Sequence, residues 1–147
     1  MYEYLDRPIT TLDPASRFLL WAVRAAASAL GERRCMGAAL GPGFACIGLD
    51  EALPHFAIAM ALLVREASQP IHIAKPNCCC VAEHEALLLT LLTAADMGDD
   101  ARVQATAALL VESEQSAATL ARALRAVTAE VLAHGLMPAR PYGANDE

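Results

Sequence analysis

The sequence predicts an all-α domain of four to five helices, orthogonal or bundle-like, with one long glycine-rich loop and one short extended segment. Three observations carry that class. Alanine and leucine supply most of an apolar content of 56%, with only 5% aromatic residues; such material favours closely packed helices, whereas sheets draw on valine, isoleucine and aromatic side chains. Apolar residues recur at three- and four-residue intervals over most of the chain. Residues that start helices (Asp13-Pro14, Asp50, Asp99 or Asp100) and residues that stop them (Gly31, Gly135) bracket those periodic stretches. At 147 residues the chain fits one domain, large enough to remove roughly 70% of its extended-chain surface from water.

Taken in order, residues 1–12 read as an irregular arm, with Tyr2 and Tyr4 free to lie on a neighbouring surface. Helix one is expected over 14–30: Asp13 caps it, Pro14 occupies a first-turn position that needs no amide, and Phe18, Trp21, Ala22, Ala25 and Ala29 form its stripe. From 32 to 49 the periodicity dissolves into Gly37, Gly41-Pro42-Gly43 and Gly48, which reads as the longest loop, with a short helix near 35–40 as the alternative. Helix two spans about 51–67, with Pro54 in its first turn, and is apolar nearly all round from Phe56 to Val64. A helix of that kind sits in the middle of a bundle or in a subunit interface.

Ser68-Gln69-Pro70 breaks helix two, and Ile71-His72-Ile73-Ala74 alternates as an extended piece, either paired with another segment or a linker. A tight turn, Lys75-Pro76-Asn77, leads through Cys78-Cys79-Cys80 into helix three, which starts at Val81 or Ala82 and ends at Ala95. Residues 101–134 read as one long helix or as two with a break near Ser113; the absence of proline and glycine favours one. His134 and Gly135 end it, and 136–147 form a flexible tail.

Composition bounds the function. Seventeen acidic residues against eleven basic ones give a formal charge of -6 with no Lys/Arg run beyond Arg33-Arg34, which disfavours nucleic acid. No apolar run approaches the ~20 residues that cross a bilayer. The first residues lack the basic start and apolar run of a signal peptide, so a cytoplasmic location is expected. Five cysteines, three of them adjacent, make an awkward framework for paired bridges, and free thiols are expected.

Three chemistries suggest themselves. Cys78, Cys80 and His84 supply soft and borderline donors for a zinc ion, with His72, His55, Cys35 or Cys46 as the fourth ligand, although one intervening residue is a tighter spacing than structural zinc sites use. Cys79 or Cys80 becomes a reactive thiol if the first turn of helix three holds it, His84 assisting one turn on; adjacent cysteines also allow a vicinal disulfide. Without an orienting group or oxyanion donors, that pair is not yet an enzyme. Asp96, Asp99 and Asp100 read as a helix cap rather than a calcium loop, Glu51 and His55 as an ordinary helix pair, and Gly41-Pro42-Gly43 as an incomplete phosphate fingerprint. The reading that absorbs most of the sequence is a non-catalytic, oligomerising interaction protein. It is a homodimer built through Met60 and Leu63 of helix two and Leu120, Leu124 and Val127 of the last helix. A metal-binding or thiol-redox module at the Cys78–Cys80/His84 turn is the alternative.

Overall fold

Among the described residues (5–12, 14–67 and 71–133) of the computed structural model, the chain forms six α-helices and no sheet. These are α1 (Pro14–Gly31), α2 (Met36–Cys46), α3 (Leu53–Arg65), α4 (Glu83–Asp96), α5 (Asp100–Leu110) and α6 (Glu114–Ala133), with single 3-10 turns at Ile9–Thr11 and Asp50–Ala52. The all-α class holds. The helix count rises from the expected four or five because the glycine-rich stretch is itself helical and the last segment is two helices. The Asp13 cap, the Ser68-Gln69-Pro70 break, the His134-Gly135 stop and the 136–147 tail lie outside the described residues.

On α1 the buried apolar positions are Leu19, Leu20, Ala22, Val23, Ala26 and Ala29, joined by the polar Ser16 and Arg24. Ala22 and Ala29 fall where the periodicity put them. Trp21, expected in the stripe, is 41% exposed. Its indole lies over α2, where it explains Gly43: a Cβ there would run into the ring. Glycine lets the ring close on the helix, and α2 therefore runs through Gly41-Pro42-Gly43 although Pro42 cannot donate to the preceding turn. Phe44 is held by Phe18 at 5.1 Å and Phe56 at 5.6 Å between ring centroids. This aromatic chain ties α1, α2 and α3 together, and its packing outweighs the poor helix propensity of the stretch.

The core lies around α6, which makes the most extensive helix contact with α3 and also packs against α4 and α5, themselves in contact with each other. Phe56, Ala59, Met60 and Leu63 face Leu120, Ala121, Leu124 and Val127 there, all at most 3% exposed. Thr90, Thr93 and Thr128 are buried in α4 and α6, and each donates its hydroxyl to the carbonyl four residues back. These polar groups are satisfied within their own helices.

The single-helix expectation for 101–134 fails at residues 111–113. Val111 is extended (φ -127°, ψ 160°) and forms an isolated antiparallel bridge with Ala67, while Glu112 N–H donates to Glu66 C=O at 2.9 Å. Ser113 Oγ then accepts from Ser116 N–H at 3.0 Å and caps α6. A serine able to cap stops a helix without any proline or glycine. Asp99 starts α5 in the expected way, accepting from Arg102 N–H at 3.1 Å.

Candidate functional site

The cysteine turn is built on a buried ion pair. Arg24 of α1 and Glu85 of α4 are 3% and 1% exposed and meet through two parallel hydrogen bonds, Nε to Oε2 at 2.8 Å and Nη2 to Oε1 at 3.0 Å. The pair is more than a strut, because each partner has donors or acceptors left over and the chain supplies mates for them. Arg24 Nη1 donates to Cys78 C=O at 2.7 Å and Nη2 to Cys80 C=O at 2.8 Å. Glu85 accepts from Ala74 N–H at 3.0 Å and from Ala82 N–H at 2.8 Å. The latter bond is the glutamate half of a capping box at the start of α4; Ala82 has no side-chain oxygen to complete the other half. Hydrogen bonding to Glu85, the largest influence, raises the pKa of Arg24 and fixes its charge.

Around this hub the irregular segments fall into place. Residues 71–74 are extended but pair with no strand: His72 N–H donates to His84 Nδ1 at 2.7 Å and Ala74 N–H goes to Glu85. The alternating amides therefore face the start of α4, and the segment is a linker whose donors are taken up by side chains. The Lys75-Pro76-Asn77 turn closes through Cys78 N–H to Lys75 C=O at 3.0 Å. The arm before α1 then runs antiparallel to the cysteines, with Pro8 bridged to Cys80, Ile9 N–H on Cys79 C=O at 2.9 Å and Val81 N–H on Arg7 C=O at 2.9 Å. All three cysteine carbonyls are thus occupied, and the side chains are what the loop has left to present.

Helix α4 begins at Glu83, so none of Cys78, Cys79 and Cys80 lies in its first turn. The free amides expected to lower a thiol pKa are not aimed at them. Cys80 moves the other way: its hydrogen bond with Cys79, then desolvation and the neighbouring Cys79, Cys78 and Asp6 charges, raise its pKa. A thiol so shifted stays protonated at neutral pH, the reverse of what nucleophilic catalysis requires. Cys79 and Cys80 hold their sulfurs 3.8 Å apart, while the Cys78 thiol turns to Cys80 C=O at 3.5 Å. All five cysteines are free.

The zinc set Cys78, Cys80 and His84 is not gathered. Among the described residues no three His, Cys, Asp or Glu side chains group so as to hold a metal ion, and His84 directs Nδ1 at the backbone of residue 72. Cys35 and Cys46 lie at the two ends of α2, and both are exposed. Glu51 sits in the 3-10 turn that runs directly into α3, and His55 lies in the first turn of α3. The five interface candidates, Met60, Leu63, Leu120, Leu124 and Val127, are all buried in the chain's own core at 3% exposure or less. Met60 and Leu63 nonetheless reach the wall of a surface groove.

Sequence reasoning passed over Arg24 and Glu85. The available signals were small: an arginine alone among Trp21, Ala22, Val23, Ala25 and Ala26, and a glutamate at the third position of a helix that no serine or aspartate caps. The helix that the sequence shows as apolar nearly all round, α3, has an outer side that is open: Ile58 is 47% and Val64 58% exposed, and neither stood among the interface candidates. Beside it lies an open groove of about 290 Å³ lined by Ala27, Leu30 and Gly31 of α1, Met60, Leu63 and Val64 of α3, and Ile71 and Ile73, with no charged or polar side chain in its walls. Comparison with family models, curated proteins and solved structures gives no match. No helix among the described residues is long and apolar enough to cross a membrane.

Proposed function

We propose that this small all-helical domain is a non-catalytic interaction module that associates with a second copy of itself through the outer face of α3 and the adjoining groove. One observation carries the reading. α3 is apolar without interruption from Phe56 to Val64, yet the fold buries only one side of it, leaving Ile58 and Val64 in solvent beside an apolar groove. Exposed apolar surface of this kind is a cost that association removes. A second copy suits it on shape: Ala57 and Ala61 lie between Ile58 and Val64 on the same face, and their small size lets two α3 helices approach across a twofold axis. A formal charge of -6 leaves nucleic acid a poor competitor for the surface. Five free thiols fit a reducing compartment, and a cytoplasmic location belongs to the same reading.

The test is the molar mass of the native protein by light scattering or sedimentation, for wild type and for Val64→Glu. A dimer is expected for wild type, and the variant should weaken it by about tenfold or more while keeping its helix content, because residue 64 is exposed. A wild-type monomer at high concentration sinks the reading. Charging Met60 or Leu124 would not serve, since those side chains hold the core and the chain would unfold.

The alternative, a metal-binding or thiol-redox module, rests on a single distance, the 3.8 Å between Cys79 and Cys80, and draws no support from His84.

A further inference from the structure

Cys79 and Cys80 are unlike the other thiols of this chain in one geometric respect: they form a pair on a backbone that cannot easily move. Each of the carbonyls of Cys78, Cys79 and Cys80 accepts a hydrogen bond, two from the buried Arg24 guanidinium and one from Ile9 N–H. The next residue, Val81, exchanges bonds with the arm, donating to Arg7 C=O while its own carbonyl accepts from Asp6 N–H at 3.0 Å. The sulfurs stand 3.8 Å apart with Cys79 exposed. Two metal–sulfur bonds of about 2.3 Å that span this separation enclose an angle of ~110°, which is the tetrahedral angle of a zinc thiolate site. Little reorganisation is needed to close such a chelate, because the loop is already ordered.

We infer that Cys79 and Cys80 form half of a tetrahedral site for a thiophilic divalent ion of the zinc type, completed by the same two cysteines of a second copy. Two thiolates fill two of four positions, and among the described residues no third His, Cys, Asp or Glu joins them. Structural zinc sites take four protein ligands, and a twofold pair supplies the missing two by symmetry. The inference rests on the self-association proposed above, and residues 71–80 connect the two surfaces: Ile71 and Ile73 line the groove, and the same segment carries the cysteines. The ion would bridge two copies of one loop and strengthen the dimer by linkage.

Two measurements on the full chain test this. Zn²⁺ is titrated into chelator-treated protein, with native mass spectrometry reading subunit number and bound metal together; Cd²⁺ serves as the optical probe through its thiolate charge-transfer band. The expected result is one ion per two chains and a dimer tightened by about tenfold or more at saturating metal. The Cys79→Ser/Cys80→Ser double variant should lose the ion and the tightening while keeping its helix content, and Cys35→Ser/Cys46→Ser should keep both. One ion per chain on a monomer, or an ion retained by the Cys79/Cys80 variant, overturns the proposal. A dimer that persists without metal and takes up none overturns this site alone and leaves the α3 association standing. A monomer under all conditions removes both.

Discussion

The seam between α3 and α6 and the cluster around Arg24 and Glu85 are both fully buried, yet they hold the molecule by opposite means. At the seam, Phe56, Met60 and Leu63 meet Leu120, Leu124 and Val127, and stability comes from area removed from water, about 25 cal/mol per Å². No single contact there is directional. At the cluster, one guanidinium and one carboxylate make six hydrogen-bond contacts between them and the segments at 74, 78, 80 and 82. None of those segments has a helix or a sheet to satisfy its backbone. Helices can be held by non-directional packing because their own hydrogen bonds are internal. The irregular quarter of this fold needs donors and acceptors from elsewhere, and α1 and α4 each send one.

The contrast predicts different responses to damage. The largest is expected from Arg24→Ala or Glu85→Ala, at about 3–5 kcal/mol, because each leaves a buried charge and several backbone groups without partners. Denaturant melts would read it, and amide exchange should show residues 72–82 losing protection together. Arg24→Met combined with Glu85→Leu removes both charges and should recover the part of the loss due to the stranded charge. It should not recover the protection of the cysteine turn, because the carbonyls of Cys78 and Cys80 have lost their guanidinium partner. Full recovery of both would mean that the cluster is mere filler. At the seam Leu120→Ala should cost about 3 kcal/mol through lost burial and a residual cavity, with exchange rates raised broadly and not at one loop.

Below both comes Gly43→Ala, expected to cost about 2 kcal/mol because the new methyl meets the Trp21 ring. Trp21→Ala beforehand should make the same substitution stabilising by up to about 1 kcal/mol, since alanine is the better helix former once the ring is gone, a coupling that a double-mutant cycle measures. Ser113→Ala should remove the α6 cap for about 1 kcal/mol. An effect much below that would show that the pairing of residues 67 and 111 breaks the helix unaided.

What was legible in the sequence follows the same division. The helices at 14–31, 53–65 and 83–96 could be read to within about two residues, because amphipathic periodicity is a local signal; Asp50, read as the cap of the second, lies instead in the 3-10 turn ahead of it, and Ala52 stands at the N-cap with no side-chain bond. The Arg24–Glu85 pair joins positions 61 apart, and neither residue stands in a pattern, so nothing local announced it. The glycine-rich stretch was misread as a loop for a related reason: Gly43 answers to a tryptophan in another helix, not to a turn. A break near Ser113 stood as the alternative to one helix, and the lack of proline and glycine weighed against it, whereas the structure breaks the helix with a cap and a bridge to residue 67. At the cysteine turn, residue type was visible and direction was not. Alternation along an extended strand placed Cys78 with Cys80, but the sulfurs that meet are those of Cys79 and Cys80.

The smallest expected effect sharpens the comparison most, because it changes burial while keeping the chemistry. Asp100 and Arg125 also form a carboxylate–guanidinium pair, at 3.6 Å, but their side chains are 74% and 39% exposed. Water and salt screen that attraction, and holding two long side chains together costs entropy, so the pair contributes at most about 0.5 kcal/mol. Arg125→Ala should therefore move the urea midpoint only slightly, and the shift should fade at high salt. Asp100→Asn adds a second small loss, since Asp100 stands in the first turn of α5 where a negative charge is favoured by about 0.3–1 kcal/mol. The sum of the two single changes should exceed the double change by no more than the pair's own contribution. A coupling as large as that of Arg24 with Glu85 would show that ionic chemistry alone, and not burial with satisfied backbone partners, makes the inner pair matter.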